Sequence, residues 1–150
     1  MKSKKIFILF LLLNISLISY AQTKIYVSNK NTVTIANGNY CQVENINTIY
    51  LQLNIKSSTS PNDMGTIMLQ DIPFNAKDYS SRKYFETFRV YKIKLNDDGV
   101  YDYWTVDIAQ DGQTVLFEVD LNSAIPKITM SRYSPSSSNK VLKRIIYSLE

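Results

Sequence analysis

The stretch TIYLQLNIK, Thr48 to Lys56, decides the class of this protein. Ile49, Leu51, Leu53 and Ile55 fall on one side of an extended chain, and Tyr50, Gln52 and Asn54 on the other. A period of two is the mark of a half-buried β-strand. The same alternation recurs outward in both directions, over Lys24–Ser28, Asn31–Ala36 and Asn39–Val43, then Thr66–Gln70, Phe85–Leu95, Val100–Ala109, Thr114–Asp120 and Lys127–Arg132. All four glycines, Gly38, Gly65, Gly99 and Gly112, fall between these runs.

Asn37-Gly38 and Asp111-Gly112 are two-residue hairpin signals, because a type I′ turn needs positive φ at both central positions. A two-residue loop at the second site pairs Ile108 with Val115, Val106 with Phe117 and Trp104 with Val119. Asn96-Asp97-Asp98-Gly99 instead suits a type I turn closed by a left-handed glycine. That loop pairs Lys94 with Asp102, Arg89 with Asp107, Val90 with Val106 and Phe88 with Ile108. In this register Tyr91, Ile93, Tyr101 and Tyr103 share the second face of the meander, and both faces are largely apolar.

The end of the chain carries Val141, Leu142, Ile145, Ile146 and Leu149 at helical spacing, with Lys140, Lys143 and Arg144 on the other side. The reading is an amphipathic C-terminal helix, capped by Ser137, Ser138 or Asn139, packed over the second face. The expected fold is mainly β: an antiparallel barrel or two-sheet sandwich of about eight short strands with that one helix. Ser57 to Asp63 reads as an exposed loop, and Pro73 to Arg82 has no assignable pattern.

Residues 1–21 have the three-part layout of a cleaved signal peptide. Lys2, Lys4 and Lys5 precede the apolar run Ile6 to Ile18, and Ser19 and Ala21 supply small residues at the cleavage site. The run is shorter than a membrane-spanning helix needs, so no stable anchor is expected after cleavage. Residues 22–150 are then a single mostly-β domain. The expected location is the periplasm or beyond the cell, the abundance of Asn, Lys, Ile and Tyr suiting an AT-rich bacterial genome.

Removing the leader also changes the charge. Of 17 Lys and Arg, three lie in the leader, leaving 14 against 13 acids, a net of +1. No clustered basic excess remains for phosphates, so nucleic acid is not an expected partner. With one cysteine, Cys41, no intrachain disulfide forms. Cys41 reads as a small half-buried side chain.

The chain has no histidine, the commonest general base and metal ligand. It has no glycine-rich phosphate loop and no nucleophile elbow. Asp107, Asp111, Gly112 and Glu118 match four positions of a calcium loop. However, Ala109 removes the third ligand, and the flanks alternate as strands rather than helices. Neither a metal nor another cofactor is expected.

Three function classes follow. The first is a non-catalytic exported binding or interaction domain. Its candidate surface is Tyr91, Ile93, Tyr101 and Tyr103, because aromatic rings with polar tips suit a small amphipathic molecule, a glycan or a protein. The second is a carboxylate-dependent hydrolase drawing on Asp102, Asp107 and their acidic neighbours. The third is a structural component of envelope assembly that associates through a strand edge.

Overall fold

The computed structural model describes residues 22–56, 60, 63–72, 84–110 and 112–149. The signal-peptide reading, most of Ser57 to Asp63, Pro73 to Arg82 and Asp111 lie outside these residues. Eight strands run in chain order: β1 (Gln22–Ala36), β2 (Asn39–Ile55), β3 (Gly65–Ile72), β4 (Tyr84–Leu95), β5 (Tyr101–Asp107), β6 (Thr114–Asp120), β7 (Lys127–Ser134) and β8 (Ser137–Ser148). Each pairs antiparallel with the next, and β8 returns to β1, so the sheet closes into a barrel. This settles barrel over sandwich.

The terminal segment corrects the helical reading. Residues 137–148 are a strand, and no helix occurs among the described residues. β8 pairs Ile145 with Val33 and Tyr147 with Asn31 on one side, and Met130 and Ile128 on the other. A helix there would leave β1 and β7 with open backbone edges, whereas a strand satisfies both. The segment is rich in β-branched and aromatic residues that favour a pleated surface. Ile145 and Tyr147 are buried inside, and Arg144, Ile146 and Ser148 are less so.

Two of the three expected turns form as read. Asn37 (φ 51°) and Gly38 (φ 78°) link the paired residues Ala36 and Asn39. Asn96 closes on Gly99 and Val100, and Gly99 has φ 82°. Lys94 and Asp102 are paired as read.

Beyond that pair the expected register fails. A bulge between Val90 and Lys92 shifts the ladder by one, so Val90 faces Thr105 and Phe88 faces Asp107. A one-residue slip exchanges the faces of a strand. Tyr103, Thr105 and Asp107 are therefore buried inside, while Trp104 and Val106 are only half-buried. The β5–β6 ladder follows suit. Trp104 pairs with Leu116, and Tyr103 with Phe117. The two-residue turn expected at Asp111-Gly112 does not form: Asp107 N–H reaches Gln113 O (3.0 Å), and Val106 faces Thr114.

The barrel is filled across its middle by Leu51, Leu53, Ile67, Phe88, Val90, Val115, Phe117, Ile128 and Met130, all essentially without solvent exposure. Phe88 and Phe117 meet edge to face at 5.0 Å. Eight strands enclose just enough room for such side chains or one small ligand. The outer face is mixed: Gln52, Asn54, Gln70, Arg89, Lys94 and Glu118 are polar, and Ile25, Met68, Trp104, Val106 and Leu116 are apolar.

Candidate functional site

The two mouths of the barrel differ. At the mouth holding the β4–β5 turn, the structure brings together three of the four predicted residues. Ile93 pairs with Tyr103, and the rings of Tyr101 and Tyr103 stack at 6.1 Å. Tyr26 joins them from β1. Burial, with Tyr26 and Tyr101 adding to it, pushes the Tyr103 hydroxyl up to about 12. Tyr103 is buried, Tyr26 and Ile93 pack against the core, and Tyr101 stays 40% exposed at the rim. Tyr91 does not belong to the group. It sits in the β4 bulge, without a ladder partner on β5.

The opposite mouth is open. It holds a cup of about 940 Å³. The apolar floor is Ile49, Leu69, Met130 and Ile145, and the polar wall includes Asn31, Asn45, Asn47, Asp71 and Glu86. The amides form a chain. Asn45 Nδ2 donates to Asn31 Oδ1 (3.2 Å), Asn31 Nδ2 to Asn47 Oδ1, and Asn47 Nδ2 to Asp71 Oδ1 (2.7 Å). Each carboxylate has room for several donors, so Asp71 keeps acceptor capacity after this bond. Val33, Glu44, Ile46, Lys143 and Tyr147 complete the lining; burial, reinforced by Glu86 and Asp71, raises the Tyr147 hydroxyl far above the ordinary tyrosine range.

Beneath this wall lies a buried ion network. Arg132 Nη1 donates to Asp107 Oδ2 (2.6 Å) and Gln113 Oε1 (3.2 Å), and Nη2 donates to Glu86 Oε2 (2.8 Å). Its guanidinium also lies over the Phe88 ring, 5.3 Å from the centroid. Asp107 Oδ1 accepts from the backbone N–H of Ala109 and Gln110. Asp107 is thereby committed to Arg132 and to its own loop, and not to Arg89 as the sequence reading had it. Among the described residues no group of three or more His, Cys, Asp or Glu could hold a metal.

Asp102 and Glu118 are paired across β5 and β6. Burial, then the Asp102 charge, raises the Glu118 carboxyl above its ordinary value, against opposing pulls from Arg144 and Lys127. Cys41 is half-buried as expected, its thiol directed at Val33 O (3.6 Å).

The sequence reading missed the cup, although one signal for it was present. Asn47 and Asn45 continue the inward phase of Leu53, Leu51 and Ile49. Asp71 continues that of Ile67 and Leu69, and Glu86 precedes Phe88 and Val90 in the same phase. Three strands thus turn from apolar to polar at the same end. The chain matches no protein-family model, no curated protein and no solved structure.

Proposed function

We propose that this protein is an exported, non-catalytic binding barrel that takes a small amphipathic molecule into the cup. The observation that carries this reading is the division of the cup into an apolar floor and a polar wall, in a volume of about 940 Å³. Ligand pockets usually combine an apolar lining with a few placed polar groups, in a volume of about 300–1,000 Å³. The wall offers carboxylate and amide oxygens beside the Lys143 ammonium group, so the ligand brings hydroxyl or ammonium donors together with an acceptor, on an apolar body. Binding is favoured over hydrolysis because Glu86 and Asp107 are both tied to Arg132.

The test is native mass spectrometry of the purified protein, followed by titration with alkyl glycosides and alkylammonium ions. The expected result is a discrete added mass or saturable binding that Met130→Trp abolishes by filling the floor. A bare chain that binds neither probe, or binding indifferent to Met130→Trp, overturns the reading.

A further inference from the structure

One polar side chain of the cup is buried without a hydrogen-bond partner. Tyr147 is 3% exposed, shares the inward phase of β8 with Ile145, and lines the cup. Among the described residues its hydroxyl neither donates nor accepts a hydrogen bond. A buried tyrosine hydroxyl normally finds a partner, and one without marks the place of a water, an ion or a ligand. This hydroxyl lies among charges: Glu86 and Asp71 both act on it, opposed by Arg132.

The two carboxylates have acceptor capacity to spare. Glu86 pairs with Leu69, so it and Asp71 are diagonal neighbours on the inward face of adjacent strands. Among the described residues, Asp71 accepts one bond, from Asn47 Nδ2 to Oδ1 (2.7 Å), and Glu86 one, from Arg132 Nη2 to Oε2 (2.8 Å). Asp71 Oδ2 and Glu86 Oε1 are left without a donor. Charge is uncompensated as well. The Arg132 guanidinium is shared between Asp107 and Glu86, and Asp71 has no ion pair among the described residues. The remaining charges of the lining do not make this good. Glu44 is paired with Lys30 (3.0 Å), and Lys143 is exposed, where water and salt screen it.

We infer that the polar end of the cup is a seat for a primary ammonium group, held by Asp71, Glu86 and the Tyr147 hydroxyl, and that the ligand is an amphipathic amine, which rests on the cup being a binding site. A primary ammonium carries three N–H donors on one positive charge. It matches the three unused acceptors, Asp71 Oδ2, Glu86 Oε1 and the Tyr147 oxygen, and it supplies the missing cation. A sugar hydroxyl brings a donor without the charge, and a quaternary ammonium brings the charge without a donor. Charge-assisted hydrogen bonds are about twice as strong as neutral ones, so the amine is favoured over both.

Calorimetric titration of the purified protein with octylammonium, octyltrimethylammonium and octyl glucoside tests this at constant chain length. Octylammonium is expected to bind about tenfold tighter than either of the others. Asp71→Asn keeps an acceptor for Asn47 and should remove most of that preference. Tyr147→Phe should weaken octylammonium severalfold while leaving urea unfolding unchanged or shifted to higher denaturant, because the hydroxyl it removes has no protein partner to lose. If octyl glucoside or octyltrimethylammonium binds as tightly as octylammonium, and Met130→Trp abolishes that binding, the ammonium seat is overturned and the cup stands. A preference for octylammonium that survives both Asp71→Asn and Tyr147→Phe, each shown folded by circular dichroism, also overturns the seat. Binding of none of the three probes overturns the seat and the cup together.

Discussion

At one mouth of the barrel, Tyr26, Ile93 and Tyr103 pack against the core with Tyr101 stacked at the rim; at the other, Asn31, Asn47, Asp71 and Glu86 leave a cup. The difference lies in how each set satisfies its polar atoms. A tyrosine buries a large ring and needs a partner for one hydroxyl. An amide or carboxylate buries little apolar surface and needs several hydrogen bonds, so it stays near solvent or near its own kind. Aromatic clusters in a barrel mouth are therefore plugs as readily as they are binding surfaces, and the open space lies where the side chains are short and polar.

The largest expected effect is at the open mouth. Arg132→Ala leaves Asp107 buried without its cation and should cost about 4 kcal/mol in urea unfolding, in the range for breaking a buried ion pair. A loss under about 1 kcal/mol would mean that the network is solvated and the cup extends deeper than its floor. At the tyrosine mouth, Tyr103→Ala should cost about 3 kcal/mol by opening a cavity, and Tyr103→Phe well under that. Should Tyr103→Phe instead keep full stability and lose the bound ligand, the roles of the two mouths would be exchanged.

Smaller still is Asn47→Ala. Asn47 links Asn31 to Asp71 at a half-buried site, so removal should cost about 1 kcal/mol while weakening uptake of the titrated probes at least severalfold. Unchanged uptake would take the amide chain out of the binding wall. The subtlest contrast is in alkali. The Tyr103 hydroxyl is raised from 10.0 to about 12. The unfolded chain therefore loses this proton first, and stability falls as pH rises through that window. Tyr103→Phe should remove that part of the alkaline loss, which denaturant melts at matched pH will read. An identical alkaline slope in both proteins would place the hydroxyl in contact with water.

The β1–β2 and β4–β5 turns were legible because their cause is local. Asn37-Gly38 and Gly99 are chosen by positive φ, and a residue two or three positions away is enough to read them. The bulge beside Tyr91 was not legible, because its cause lies elsewhere. It turns Asp107 inward, where it meets Arg132, 25 residues away in sequence. β8 failed for a related reason. Val141, Leu142, Ile145, Ile146 and Leu149 fit a helical period, and nothing within the segment reveals that β1 and β7 both need a partner.

The amino-acid order by itself determined that this chain is an antiparallel β protein with apolar positions alternating inward, since period and turn residues act over a few bonds. Tertiary structure alone decided the closure of the ring through β8, the face to which β5 turns, and the meeting of Asn31, Asn47, Asp71 and Glu86 at one mouth. Each of these depends on pairing between strands far apart in the chain. A backbone group left without a partner there costs more than a local preference can return.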